Sequence, residues 1–100
     1  MSVFIGYRVM LYDEITNRAI SGADCRCSVE LKEGRTIQYG KGHFVTPFPE
    51  YAKKHYAVHE QNVLLKVLCL KSDIISGSLD DKEPEISIKK SILIDWEILN

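Results

Sequence analysis

Apolar residues fall at alternate positions through most of this chain. In "DCRCSVELK", Asp24 to Lys32, the residues Cys25, Cys27, Val29 and Leu31 lie on one side and Asp24, Arg26, Ser28, Glu30 and Lys32 on the other, the period of two that marks a half-buried strand. Val3 to Tyr12 places Val3, Ile5, Tyr7, Val9 and Leu11 on one face, while Phe4 and Met10 leave the opposite face only partly polar. That strand is predicted to be flanked on both sides. "NVLLKVLCL", Asn62 to Leu70, is apolar on both faces except at Lys66, which predicts the most central strand of the fold. In the last segment Ile86, Ile88, Ile92, Ile94, Trp96 and Ile98 share one face, and Ser87, Lys89, Ser91, Asp95 and Glu97 the other. A single strand of that length would span about 43 Å, more than twice the usual. A bulge or a change of sheet is therefore predicted near Lys89 to Ser91, where Lys90 interrupts the apolar face and an inward charge discourages edge pairing.

Between these runs lie the turns. "EGRT", Glu33 to Thr36, reads as a tight turn into a short strand over Ile37 to Tyr39, because Gly34 tolerates the positive φ of a hairpin connection. "GKGHFV" is a second glycine-rich turn leading into Phe44 and Val45. In "PFPEYAKKHYAVHEQ", Pro49 followed by Glu50 opens at most one helical turn over Glu50 to Lys53. A strand from about His55 to Glu60 is predicted to follow, with Phe44 and Tyr56 in the core by register. "SGSLDDKEPE", Ser76 to Glu85, is polar, acidic and ends near Pro84, and is predicted to be an exposed loop. About seven short strands with frequent turns and no long helix predict an all-β fold, an antiparallel Greek-key β-sandwich, with residues 1–100 as one domain.

Composition narrows the function classes. A chain of 100 residues buries roughly two-thirds of the surface its unfolded form exposes, enough for one core. Thirteen basic and 14 acidic residues give a net charge of −1, so no summed field draws in phosphate backbones or anionic membranes. Lys53, Lys54 and His55, and Lys89 with Lys90, are runs too short for a nucleic-acid footprint. No apolar run reaches the roughly 18 residues of a membrane span, and "MSVFIGYRVMLYDE" lacks the parts of a secretory leader. A cytoplasmic protein is expected on these grounds, with an excised domain carrying an added Met as the open alternative. Cys25, Cys27 and Cys69 are odd in number, and Cys25 and Cys27, two apart on one strand, lie about 6.6 Å from each other. Reduced thiols packed as small apolar groups are expected.

The stretch Asp13, Thr16, Asn17, Ile20, Ser21, Gly22, Ala23 resembles the first loop of carboxypeptidase regulatory-like and transthyretin (prealbumin)-like sandwiches, where a strand ends in Asp, passes a turn and re-enters through a Gly-Ala step. "GKGHF" and "HYAVHE" are similar to that family's Gly-x-Phe hairpin and Tyr-x-Val strand, so the likeness covers about Tyr7 to Val58. Asn17 stands where the family commonly has Gly, and Ala19 where it has Pro. The resemblance implies that Asp13 and Thr16 close the turn, Ile20 plugs the end of the core, and Gly22 with Ala23 carries the chain from one sheet to the other. It also implies no hydroxyisourate hydrolase activity, because the chain ends "WEILN" and not in a Tyr-Arg-Gly-Ser motif. An immunoglobulin-like topology is the alternative, although Trp96 follows all three cysteines and cannot fill the position between two of them.

Catalytic constellations are thin. His55 and His59 on a strand would stand about 13 Å apart, too far to share a metal, whereas a helix would bring them together. No serine sits in a nucleophile elbow, the cysteines lie in apolar registers, and Asp80, Asp81, Glu83 and Glu85 lack the spacing of a calcium loop. The aromatic cluster Tyr39, His43, Phe44, Phe48, Tyr51 and Tyr56 falls where glycines and prolines break the chain into loops. Phe48 and Tyr51, beside Pro47, Pro49 and Glu50, are expected as exposed anchors, and Trp96 as an anchor on the last strand. The expectation is a non-catalytic module without cofactor or metal, binding a protein partner or a second copy through the Phe48 to Tyr51 loop or the last strand. A small metal-dependent hydrolase using His43, His55 and His59, or a carbohydrate-binding module, are the alternatives.

Overall fold

A computed structural model describes residues 2–21, 28–80 and 85–99. It is mostly β, with nine strands among those residues: β1 (Val3–Asp13), β2 (Arg18–Ile20), β3 (Ser28–Glu30), β4 (Thr36–Ile37), β5 (His43–Val45), β6 (Asn62–Leu70), β7 (Ile74–Ser76), β8 (Ile86–Ile88) and β9 (Ser91–Ile98). One helix, α1 (Pro49–Tyr56), separates β5 from β6. All pairing is antiparallel, in a six-stranded sheet ordered β3-β2-β1-β6-β9-β4 and a three-stranded sheet ordered β5-β8-β7. The two sheets share one core, a sandwich-like arrangement. No helix among the described residues is long and apolar enough to cross a membrane.

The predicted central strand is central. β6 pairs with β1 from Asn62 to Leu70 on one side and with β9 on the other. Val63, Leu65, Val67 and Cys69 are buried and join Met10, Ala19, Val29, Leu31, Ile37 and Leu93 of the same sheet side with Val45, Ile86 and Ile88 of the small sheet. On β1 the face toward this core is the less apolar one, carrying Phe4, Gly6, Arg8 and Met10, the cross-strand partners of Cys69, Val67, Leu65 and Val63. The opposite face is the one α1 covers. Ala52 and Leu64 are buried apart from the main cluster, and Lys53 Nζ lies 4.0 Å from Glu97, the cross-strand neighbour of Leu64. At Gly6 the two sheets approach so closely that a Cβ would sit 3.0 Å from Val45 Cβ and 3.3 Å from Cys69 Sγ.

Three expectations are corrected. The segment from Asp13 to Ile20 is not a crossing between sheets. It is a hairpin within the large sheet, pairing Leu11 with Ile20, Tyr12 with Ala19 and Asp13 with Arg18. Its turn does use the predicted chemistry: Thr16 Oγ1 donates to Asp13 Oδ2 at 2.7 Å and the Ile15 N–H to Asp13 Oδ1 at 3.1 Å, while Asn17 takes a positive φ of 54°. Ala19, not Ile20, is the fully buried residue there. Gly22 and Ala23, and Cys25 and Cys27 of the predicted strand, lie outside the described residues, as do residues 81–84 of the predicted acidic loop.

The second correction is α1. A proline at the first helical position, Glu50 in the first turn and Lys53, Lys54 and His55 in the last suit the helix dipole along the whole segment, so the helix runs to Tyr56, and no strand forms from His55 to Glu60. Tyr56 is accordingly exposed. Phe44 is exposed as well, because the turn at Gly42, with φ 93°, sets a phase in which His43 and Val45 point inward and Phe44 outward.

The third correction concerns the last segment. The predicted change of sheet occurs at Lys89 and Lys90, between β8 in the small sheet and β9 in the large one, and Lys90 is exposed there, not turned inward. The passage shifts the alternation by one, so that Ser91 and Leu93 become the buried residues of β9. A bulge opposite Lys66 and Val67, with Ile94 as the extra residue, shifts it back, and Trp96 packs against the core. The split of this segment, the short β2 and β7, and the loss of a strand to α1 account for nine strands where about seven are expected. The large sheet also curls: Leu31 to Arg35 connects its two edge strands, and Arg35 Nη2 meets Glu30 Oε2 at 2.6 Å across the gap.

Candidate interaction surface

Phe48 ends the extended segment before α1 and is 53% exposed. Its backbone N–H donates to Thr46 Oγ1 at 3.2 Å, which orients the ring at the helix start. Tyr51, one turn later, is half-buried. Its ring lies 4.2 Å from that of His55, four residues on, and 6.3 Å from the edge-on ring of Tyr56. The i, i+4 relation on a helix places these rings on one side. Phe48 and Tyr51 are thus brought together by one element, whereas Trp96 belongs to β9 and is half-buried against the core.

Beside α1 the strands leave an opening. Tyr7 and Thr46 exchange backbone hydrogen bonds of 2.7 and 3.0 Å, and β2 pairs with β1 only from Leu11 onward. Residues of one parity in an antiparallel strand turn their N–H and C=O to the same side. Val9 therefore presents its backbone groups to the gap between Thr46 and β2. A cavity of about 230 Å³ occupies this gap, lined among the described residues by Val9, Met10, Phe44, Thr46, Tyr56 and His59. Phe44 and Tyr56, which the strand register assigns to the core, form its rim. With Phe48 and Val58 they are four exposed large apolar side chains in the stretch from Phe44 to Val58. The helical signal that exposes Tyr56 is present in Pro49 and the charge gradient that follows it.

A second cluster lies inside the core. His43 Nε2 and Ser91 Oγ are 2.8 Å apart, the Tyr39 ring meets the His43 ring edge-on at 5.4 Å, and the Arg8 guanidinium lies 5.8 Å from the Tyr39 ring centre while Arg8 Nη1 donates to the Phe44 carbonyl at 2.9 Å. His43 Nδ1 is buried without a hydrogen-bond partner. Burial, helped by the Arg8 charge, pushes the His43 pKa down to about 4, so the ring is neutral at pH 7. The Ser91–His43 pair has the chemistry of a nucleophile and base, yet both residues are fully enclosed. It joins β5 to β9 inside the core.

The remaining candidates are separate from one another. His43 is in the core, His55 is exposed on α1, and His59 follows the helix, its N–H donating to Asn62 Oδ1 at 3.2 Å while its carbonyl accepts from Asn62 Nδ2 at 2.8 Å. Among the described residues no three His, Cys, Asp or Glu side chains gather as metal ligands. Cys69 is a free, buried thiol whose pKa burial pushes up to about 12, with the Asp73 charge adding to the effect. Burial thus keeps this sulfur in its thiol form at neutral pH. No protein-family model, curated protein or solved structure matches the chain. The prealbumin-like resemblance rests on the residues that suggested it.

Proposed function

We propose that this protein is a non-catalytic β-sandwich module that binds another protein through the aromatic face around α1. The observation that carries the reading is the exposure of Phe44, Phe48 and Tyr56, on β5, at the start of α1 and at its end. Rigid, exposed aromatic rings beside a concave opening are the usual anchors of a protein interface. Among the described residues none pairs with the backbone of Val9 on this side, which adds a place for a partner's main chain. Enclosure of the Ser91–His43 pair and the high pKa of Cys69 support the non-catalytic part. A cytoplasmic setting fits a free, buried thiol.

The test is crosslinking in living cells with a photoreactive phenylalanine analogue at position 44 or 48. One defined partner, lost on Tyr56→Ser, supports the proposal. Crosslinks that are diffuse, or unchanged by Tyr56→Ser, reject it. A glycan panel separates the carbohydrate-binding alternative: a saturable response abolished by Tyr51→Ala transfers the surface to sugars.

A further inference from the structure

We propose that the outer edge of β9, from Asp95 to Ile98, is a second docking site, built to receive an extended peptide that alternates basic and apolar residues and adds to the large sheet as a further strand. This site is independent of the aromatic face around α1.

β9 is paired with β6 along its length, but with β4 only at Ser91 and Ile92, with Leu93 bonded to Gly34 and Arg35 beyond them. Past Leu93, no described residue pairs with β9 on that side. The Leu99 N–H donates to the Asn62 carbonyl at 2.8 Å. Residues 95, 97 and 99 therefore direct their backbone groups to β6, and Trp96 and Ile98 direct theirs outward. The Trp96 N–H bears this out, for its partner is not a strand but the exposed carboxylate of its own neighbour, Asp95 Oδ1, at 2.8 Å. An incoming carbonyl replaces that bond one for one.

Charge decides what the incoming strand is. Antiparallel pairing of two copies about residue 95, 96 or 97 sets Asp95 against Asp95, Asp95 against Glu97, or Glu97 against Glu97. Like charges directly opposite one another destabilise a strand pair, so a second copy is the wrong occupant in each of these registers. A lysine or arginine opposite each acid reverses the sign. On the inner side of the same row Lys66 already stands opposite Asp95 and Lys53 Nζ lies 4.0 Å from Glu97. Incoming cations thus continue a row of alternating charge across the sheet. On the other face the incoming residues meet half-buried Trp96 and exposed Ile98, which selects apolar side chains. Backbone bonds supply the affinity and the alternating side chains the specificity.

The chain has one tryptophan, and it sits on this edge. The experiment titrates the full chain with a capped eight-residue peptide alternating lysine and valine and follows Trp96 fluorescence. A saturable change that weakens with added salt is expected, with none for a peptide alternating glutamate and valine. N-methylating the peptide nitrogens that face β9 keeps every charge and removes the backbone hydrogen bonds they would donate, and should cost about tenfold in affinity. The D95K/E97K variant should exchange the preference for the two peptides. Equal binding of the N-methylated peptide reduces the effect to charge attraction and overturns the proposal, as does absence of binding by the lysine-valine peptide. A concentration-dependent dimer dissolved by Ile98→Pro overturns it in favour of a second copy.

Discussion

Acidification should loosen this fold through one residue, His43. The ring is enclosed, its Nε2 bonded to Ser91 Oγ at 2.8 Å and its Nδ1 without a partner, with a guanidinium nearby to oppose a second charge. Its pKa is about 4 in the fold against 6.5 for the free side chain. Between those values the unfolded chain binds the proton and the folded chain does not, so stability rises with pH through that window. The contribution is complete above pH 6.5 and is lost as pH falls to about 4. The gap of 2.5 pH units, at about 1.36 kcal/mol for each, comes to about 3 kcal/mol, a sizeable part of the 5–15 kcal/mol that typically holds a small domain.

The assay is urea unfolding at a series of pH values between 7 and 4, read by Trp96 fluorescence, on the native chain and on His43→Gln. Glutamine can still reach Ser91 and has no proton to gain. The native chain should lose about 3 kcal/mol more than the variant over that range, which isolates His43 from the carboxylates that titrate in both. Two curves running parallel from pH 7 to pH 4 would refute the account, for the ring would then be protonated as readily inside the fold as outside it.

Gly6→Ala should destabilise by roughly 1–3 kcal/mol in thermal or urea unfolding, because its Cβ would meet Val45 Cβ at 3.0 Å in a core with no room to yield. Leu65→Ala, at the fully buried centre of β6, should cost about 2–5 kcal/mol by the same measurement. Cys69 should resist iodoacetamide at pH 8 in the native protein and react on unfolding, as peptide mass spectrometry would show; rapid labelling of the folded chain contradicts its burial. Asn62→Ala removes both hydrogen bonds to the His59 backbone and should cost about 1–3 kcal/mol.

The features legible in the amino-acid sequence are those that depend on neighbours in the chain. β6 is recognisable because "NVLLKVLCL" is apolar on both faces, and only a strand covered on both faces tolerates that. The Asp13–Thr16 turn is recognisable because a carboxylate and a hydroxyl three apart bond one another wherever the chain bends. That the last segment must break follows from its length, and Lys90, which interrupts the apolar face, marks the place. Of the expected anchors, Phe48 is exposed and Tyr51 is half-buried beside it, while Trp96 lies on another element.

Burial is legible less often, because alternation names two faces without saying which is inside. On β1 the more apolar face lies under α1, and the face with Arg8 turns to the main core, where β5 and β8 supply the cover. Ser91 counts as polar by pattern and is buried, since crossing from one sheet to the other consumes one step of the alternation and the bulge at Ile94 restores it. His43 and Ser91 are 48 positions apart, and nothing in their local sequences joins them.

Local chemistry thus dictated where this chain extends, turns and stops, for those choices are made by backbone sterics and hydrogen bonds among near neighbours. Tertiary structure decided which face of each strand meets the other sheet, that the Phe44 and Tyr56 rings stay outside, and that no described residue pairs with the outer edge of β9 past Leu93. Those outcomes depend on register and parity across distant segments, and a shift of one residue in either reverses them.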